Sequence, residues 1–562
     1  MVDEFARCGV QHVCTSPGSR NSPIVTALAR DERLRCWSHV DERSCGFFAL
    51  GAAKASRRPV VITCTSGTAG ANLLPAVIEA DHAHVPLIIL TADRPAELRE
   101  VGAGQAIDQL KLFGDAVRWF FELDLADASE ARLRWIRSLA CRAYWTAGGP
   151  RPGPVHLNVP LREPLVVREL PAVTGGGGRP GGEPWLTIDR PRYGPATPRR
   201  DEFGHVALVA GELGGDPELG ARLAALAARA KVPLLADPLS GARRGPAAIA
   251  HYDLLLRDSV TAATLKPTVV CRIGELPTSK PLRSWIAGLH DVYHLAFSGE
   301  ESWSDPDSML AQRTVEPIED LLGHLERDEL VPAPEEWLAR WRAADVLVAG
   351  AVSAELDGGE LSEPLVARRL ASVLPPDATL MLASSMPIRD VEAYAAVRDR
   401  PPRMLSNRGA NGIDGTVSAA FGVAAAGGGP VVLLVGDVAL AHDIGGLLSN
   451  RRTDLAITIV VLNNDGGGIF DFLPVASLFD EIGEHITTPT GLPFAHAAAL
   501  YDCGYQLAAD VRDLESAVSA SLASDRTTII EVRTERVANR RLHADIEAAA
   551  LAALSTPRRL SG

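Results

Sequence analysis

Two kinds of segment alternate along this 562-residue chain. Short, contiguous apolar runs end in polar or Gly/Pro turns, and longer Ala- and Leu-rich stretches lie between them. Short unbroken apolar runs predict strands buried on both faces, and the longer stretches predict helices, so the pattern is that of parallel-sheet α/β layers. Near the start, VQHVCTSPG, RPVVITCTSG and VPLIILTADRP read as buried strands running into turns, and GPVHLNVPLREPL (Gly153–Leu165) as the last strand of a first unit. VTGGGGRPGGEPW (Val173–Trp185) is too rich in Gly and Pro for helix or strand and predicts a linker. HVALVAG, KVPLLAD, PTVVCRIG and DVYHLAF predict four strands of a second unit, whose AGELGG lacks the G-x-G-x-x-G dinucleotide spacing. Beyond the helical segment EEWLARWRAADVLVAG, a third unit opens with ATLMLASSMPIRD, GPVVLLVGDVALAHD, LAITIVVLNNDGGGIF and TTIIEVRTE. The basic tail that follows, from RVANRR onward, predicts a solvated helical end. The expected fold is therefore α/β, three consecutive parallel-sheet domains at 1–172, 200–340 and 341–562 with a Gly/Pro-rich linker at 173–199, the first and third units alike in architecture.

Composition narrows the function. Lys plus Arg number 56 against 70 Asp plus Glu, a net charge of −14. Such a chain lacks the cationic footprint that neutralises nucleic-acid phosphates. With 46% hydrophobic and 22% charged residues it is a globular chain, not a disordered one. Eight cysteines without a C-x-x-C pair predict buried thiols in a reducing, cytoplasmic compartment. No basic-then-apolar leader opens the chain, which starts inside its first predicted helix, so a missing first turn is expected. Val417–Gly436 runs twenty residues without a charge, but three glycines and Pro430 interrupt it, and a buried helix, a turn and a strand are expected there, not a membrane span.

The chemistry concentrates at strand ends, where parallel sheets bind ligands. Gly436-Asp437 closes one predicted strand, and after 26 intervening residues Asn464 closes another in LNNDGGGIF. A carboxylate, an amide oxygen and a backbone carbonyl, that of Gly466, suit a hard divalent cation together with phosphate oxygens. The surrounding glycines let the backbone approach a diphosphate, and a following helix N-terminus favours its charge. A structural turn is the alternative at this point. Glu42, in HVDERSCGFFALG, stands just after a predicted strand and opens a helix, where an ordinary capping acid is the competing reading.

These features resemble the thiamine diphosphate enzymes, in which a G-D motif followed by Asn marks the diphosphate domain. The motifs SPGSRNSP, HVDERS, TSGTAGAN, TADRPAEL, GQAIDQ, SSMPIRD, NRGANGIDG and NNDGGGIF resemble, in order, those of the 2-succinyl-5-enolpyruvyl-6-hydroxy-3-cyclohexene-1-carboxylate (SEPHCHC) synthases of menaquinone biosynthesis. The resemblance implies a pyrimidine-binding domain, a central domain and a diphosphate-binding domain in that order. It also implies a transferase that decarboxylates 2-oxoglutarate and adds the resulting succinyl-semialdehyde carbanion equivalent to isochorismate in a 1,4-addition. The implied cofactors are thiamine diphosphate and Mg²⁺, with Mn²⁺ able to substitute. The implied assembly is a homodimer or homotetramer with active sites between subunits.

Carried over residue by residue, the resemblance makes Glu42 the acid that activates the aminopyrimidine. It gives Ser385, Met386, Ile413, Gly436, Asp437, Asn464, Ile469 and Phe470 to the cofactor, Ile413 as the wedge that bends it. Asp437, Asn464 and Gly466 would hold the metal. Both substrates are dicarboxylates, which arginine forks match. By resemblance Arg389 and Arg408, with Ser385, hold carboxylates near the thiazolium, and Ser19, Arg20, Arg94, Gln105 and Lys280 face isochorismate, with Ile469 and Phe470 as an apolar wall. His442 is expected to be structural, and His39 and Asp41 receive no role. The chain departs from the family pattern at Gly104, Ser384 and Pro281, where family members carry an amide, an Asn and, in some, a second base. The rival readings are another thiamine diphosphate-dependent 2-oxo-acid decarboxylase or acetolactate-type synthase, which the arginine set disfavours, and an inactive member of the fold, which the presence of Glu42 and Asp437 disfavours.

Overall fold

A computed structural model describes residues 1–124, 129–166, 177–188, 204–299, 303–327 and 332–555. Its strands form three sheets in which every paired neighbour is parallel. The first holds β1 (His12–Thr15), β2 (Arg35–Ser38), β3 (Val60–Cys64), β4 (Leu87–Asp93), β5 (Trp119–Glu122) and β6 (Pro154–Pro160) in the order β2-β1-β3-β4-β6-β5. The second holds β7 (Val206–Ala210), β8 (Leu234–Ala236), β9 (Val269–Ile273), β10 (Tyr293–Ser298) and β11 (Gln312–Val315) in the order β11-β10-β9-β7-β8. The third holds β12 (Thr379–Leu382), β13 (Arg403–Ser406), β14 (Val431–Gly436), β15 (Thr458–Asn463), β16 (Gly504–Ala508) and β17 (Thr528–Arg533), ordered β13-β12-β14-β15-β17-β16. Renumbered from its own first strand, the third sheet repeats the winding of the first. The three-unit α/β expectation therefore stands.

Four strands lie beyond those the apolar pattern predicts: β5, β11, β13 and β16. Each is at the edge of its sheet. An edge strand keeps one side toward solvent or covering side chains, so its sequence loses the contiguous apolar run that marks a central strand such as the fully buried β3. The tail also corrects the expectation. Arg536–Ser555 is a helix lying along Glu335–Leu356, with Ile546 and Ala550 buried in a core they share with Trp337 and Trp341. It is not a solvated end; residues 556–562 lie outside the described set. Glu335–Leu356 itself crosses the expected 340/341 division. Of the expected linker, residues 177–188 are described, and they strap over the first helix: Arg7 donates to the Arg179 carbonyl (2.9 Å), and the Trp185 amide donates to Glu4.

The uncharged stretch resolves into helix Thr416–Ala426, a turn at Gly427–Gly429 and strand β14. Among the described residues no helix is long and apolar enough to cross a membrane. That helix packs along helix Glu42–Ser56 so closely that a Cβ on Gly51 would stand 2.0 Å from the Ala419 carbonyl oxygen, and one on Gly422 2.0 Å from that of Phe48. The first and third units consequently share one core, in which Phe47 and Phe48 meet Val417 and Phe421.

Asp443 pins the same helix from its far side, accepting from the Ser418 amide (2.7 Å) and hydroxyl (3.2 Å). Burial pushes its carboxyl up to about 6. An unfolded Asp titrates near ~3.9, so the folded state holds an extra proton between those values, and the stabilisation present below pH 4 is lost as pH rises through about 6. Asp443→Asn can still accept from the Ser418 amide and can donate its NH₂ to the Ser418 hydroxyl, with no charge to bury. Its stability relative to the parent is expected to improve by roughly 1–3 kcal/mol between pH 4 and pH 7. Paired denaturant melts at the two pH values check this; a constant difference would contradict it.

Candidate active site

The candidate residues fall at the carboxyl ends of their strands: Ser19 and Arg20 after β1, Glu42 after β2, Arg94 after β4, Lys280 after β9, Ser385 after β12, Arg408 after β13, Asp437 after β14 and Asn464 after β15. Parallel winding points all these ends one way within each sheet, which is why residues so far apart in the chain converge.

Asp437 and Asn464 are neighbours across the β14–β15 pair. Buried Asp437 accepts from the Gly466 amide at 2.8 Å, and burial pushes its carboxyl up to about 6. Asn464 donates through Nδ2 to Glu363, while its Oδ1 is buried without a hydrogen-bond partner. An orphaned amide oxygen and a buried carboxylate with no ion-pair partner among the described residues form an oxygen set that a divalent cation would suit. Gly466 has φ +143°, and a Cβ there would meet the Thr487 carbonyl oxygen at 2.9 Å, so the turn that presents it needs glycine.

Glu42 is the first residue of its helix, but it is not the cap. Asp41 accepts from the amides of Arg43 (2.8 Å) and Ser44 (3.4 Å), which leaves the half-buried Glu42 carboxyl without a hydrogen-bond partner among the described residues. His39 is buried and packs on Phe48 (ring centroids 4.5 Å apart); burial pulls its pKa down to about 4, so the ring is neutral. His442 ends the short helix begun by Asp437, and its carbonyl accepts from Arg43.

The remaining candidates form two groups. In the first unit, buried Arg20 donates to the Leu161 carbonyl (2.9 Å), and its Nε has no partner among the described residues. Arg94 donates to the Ser66 hydroxyl and the Gly104 carbonyl (2.7 Å), and burial and the Arg20 charge pull its pKa down. Gln105 donates to the Ser66 carbonyl (2.9 Å), and Ser19 is exposed beside them. In the second group, a cleft of about 1200 Å³ between the central and third units is lined by Lys280, Met386, Arg389 and Ile469, with Arg283 and Phe472. Lys280 thus sits with Arg389, not with Arg94. Burial, then the charges of Arg408 and Arg283, pull the Arg389 pKa down. Ser385 holds φ +76°, a costly conformation for a residue with a side chain, and its carbonyl accepts from Arg389. Ile413 packs half-buried against the shared core, and Phe470 lies over Gly467, leaving Phe472 beside Ile469 in the cleft.

Comparison with known proteins gives the family. Residues 1–112 match the thiamine pyrophosphate enzyme N-terminal TPP binding domain, residues 199–382 the middle domain of thiamine pyrophosphate enzymes, and residues 390–532 the C-terminal TPP binding domain. The chain is 41% identical over 557 residues to the SEPHCHC synthase of Geobacillus kaustophilus, covering 97% of this chain and 95% of that protein. It is 41% identical to the SEPHCHC synthase of Chloroflexus aurantiacus (96% and 93% covered) and 39% identical to that of Listeria monocytogenes (96% and 95%). The chain belongs to the SEPHCHC synthase family.

It is thus a thiamine diphosphate (thiamine pyrophosphate) enzyme that forms C–C bonds, and its departures from the SEPHCHC synthase pattern can be placed. A side chain at Gly104 would meet open space, so the missing amide leaves a vacancy beside Arg94. Ser384 donates to the Asn407 carbonyl (3.0 Å), tying the ends of β12 and β13. Pro281 lies in the first turn of helix Lys280–Ala287, and Arg283 stands three residues after Lys280, on the same helix face, lining the same cleft. A second cation therefore lines the cleft close to Lys280. Arg283 lies outside the family motifs, and its i, i+3 relation to Lys280 is the one local signal that marks it.

Proposed function

We infer that this chain condenses 2-oxoglutarate with isochorismate, with loss of CO₂, to give SEPHCHC in menaquinone biosynthesis. The observation that carries the reading is the cleft: Lys280, Arg283, Arg389 and neighbouring Arg408 form no ion pair among the described residues, in a chain similar over nearly its whole length to SEPHCHC synthases. Asp253, Asp390, Glu392 and Glu547 line the same cleft, yet none pairs with these four cations, and a dicarboxylate would supply two charges that arginine forks match.

When bound, thiamine diphosphate supplies the electron sink for loss of CO₂ and the carbon nucleophile. The chain's part is to hold and orient. Glu42 shares a proton with the aminopyrimidine ring nitrogen, a role its freedom from capping supports. Asp437, Asn464 and the Gly466 carbonyl hold Mg²⁺ against the diphosphate, with Gly436 at the turn. Met386, Ile413, Ile469 and Phe470 exclude water around the rings. Arg389, Arg408 and Ser385 grip 2-oxoglutarate, and Ser19, Arg20, Arg94 and Gln105 grip isochorismate, with Lys280 reaching between them.

The reading includes a homodimer or homotetramer with active sites between subunits. Two features support it: no hydrogen bond or ion pair joins Glu42 or the Arg20–Arg94 group to Asp437, Asn464 or the cleft among the described residues, and Leu98, Val101, Ile107 and Leu110 are exposed beside that group. It also takes the domain divisions near residues 172, 200 and 340, with Glu335–Leu356 bridging the last, and a cytoplasmic location, which eight free thiols suit.

The test follows isochorismate absorbance with purified protein. Consumption is expected only when thiamine diphosphate, Mg²⁺ and 2-oxoglutarate are all present. CO₂ release from pyruvate and none from 2-oxoglutarate would replace this reading with the decarboxylase or acetolactate-type one.

A further inference from the structure

Glu363 begins helix Glu363–Val373, a position where acids are normally exposed and answer the helix dipole. Here it is 2% exposed and makes no such surface contribution. A single carboxylate oxygen, Oε1, accepts from Asn464 Nδ2 at 2.8 Å and from the Thr534 hydroxyl, just past β17, at 2.9 Å. Neither contact belongs to secondary structure, and the helix cap, Ser362, makes no side-chain hydrogen bond of its own.

The consequence lies in the amide. An Asn side chain has two ends of nearly equal shape, and rotation by 180° exchanges an acceptor for a donor. A carboxylate can only accept, so it selects the NH₂ end. With Nδ2 held by Glu363, Oδ1 faces away from that carboxylate and is buried without a hydrogen-bond partner among the described residues. Were the amide free to turn, its NH₂ would point at the cation position and repel the ion.

We propose that Glu363 is a positioning residue that locks the Asn464 amide with its oxygen toward the divalent cation, Thr534 steadying the same carboxylate oxygen. This rests on the cation reading of Asp437 and Asn464. Outer partners that orient metal ligands are commonly worth about 10–100-fold in metal affinity.

The test titrates Mn²⁺ into the metal-free full-length chain with thiamine diphosphate present, reading free Mn²⁺ by electron paramagnetic resonance, alongside the melting temperature without metal. Glu363→Ala is expected to weaken Mn²⁺ binding about 10–100-fold. Glu363→Gln, whose amide oxygen still accepts, is expected to regain most of that affinity. Thr534→Val removes the other donor to Oε1 and is expected to leave Mn²⁺ binding within about threefold of the parent, because the Asn464 contact survives. Should Glu363→Ala not fold, Glu363→Asp, which withdraws the acceptor by one methylene, is expected to weaken binding at least about threefold. Normal Mn²⁺ affinity in Glu363→Ala, or in Glu363→Asp where the alanine variant does not fold, with loss in Asp437→Ala would overturn the proposal alone. Equal weakening by Glu363→Ala and Thr534→Val would reduce Glu363 to a structural tie and also overturn it. Normal affinity in Asp437→Ala would overturn the cation reading, and this proposal with it.

Discussion

Glu42→Gln is expected to lower the rate of SEPHCHC formation by about 10²–10⁴-fold while leaving the fold and thiamine diphosphate binding intact, the range by which a positioned proton-transfer group accelerates a reaction. The substitution is nearly isosteric. It removes the one property the role requires, a carboxyl that can hold or release a proton. Stability should not follow activity, because the amide donors at the helix start are satisfied by Asp41, not by Glu42. The pairing of a large kinetic loss with an unchanged melting temperature is therefore the signature to look for. Initial rates of isochorismate loss, a cofactor titration and a thermal melt on one preparation decide it. A rate within tenfold of the parent would show that Glu42 is not the activating acid.

The second large effect concerns the joint between the first and third units. Gly422→Ala places a methyl group 2.0 Å from the Phe48 carbonyl oxygen and 2.8 Å from the Ala52 amide nitrogen. Both are backbone atoms inside a helix and cannot swing aside, so the two helices must separate. Overpacking of this kind costs about 1–3 kcal/mol, and a backbone collision belongs at the top of that range. The core shared by Phe47, Phe48, Val417 and Phe421 opens with the helices, so cofactor binding is expected to weaken along with stability. Gly104→Ala is the comparison: its Cβ meets nothing within 4 Å, and its melting point should match the parent's. Equal stability of the two variants would mean that the helix crossing is not as close as described.

Several elements of both the fold and the site were legible because their signals are local. β3, β4 and β14 are covered on both faces, so their sequences are mostly contiguous apolar runs. Asp437 and Asn464 each end such a run, and parallel winding then brings them together with no further information. By contrast, β5 (Trp119–Glu122) is half-buried along its length, and β16 (Gly504–Ala508) mixes exposed and buried positions. An edge strand takes its register from a partner already in place, and its own pattern carries little of that. The tail is a different case: Leu542, Ile546, Ala550 and Leu554 recur every four residues and pack on the core with Trp337 and Trp341, a local pattern that the arginines at its start obscure.

Glu363 and Arg283 mark the same limit within the site. An acid opening a helix reads the same whether it faces water or grips Asn464, and an arginine on an exposed helix face reads the same whether it is solvated or lines a cleft. By itself the sequence determined the layered α/β architecture, the two strand ends that carry Asp437 and Asn464, and the family motifs, because each is written in consecutive residues whose burial or turn geometry depends on near neighbours. The tertiary structure alone decided that Lys280 and Arg283 join Arg389, and that Glu363 holds the Asn464 amide. Those facts depend on distances between groups on separate elements, 101 residues apart for Glu363 and Asn464, which chain order does not specify until the sheets have wound and the helices have packed.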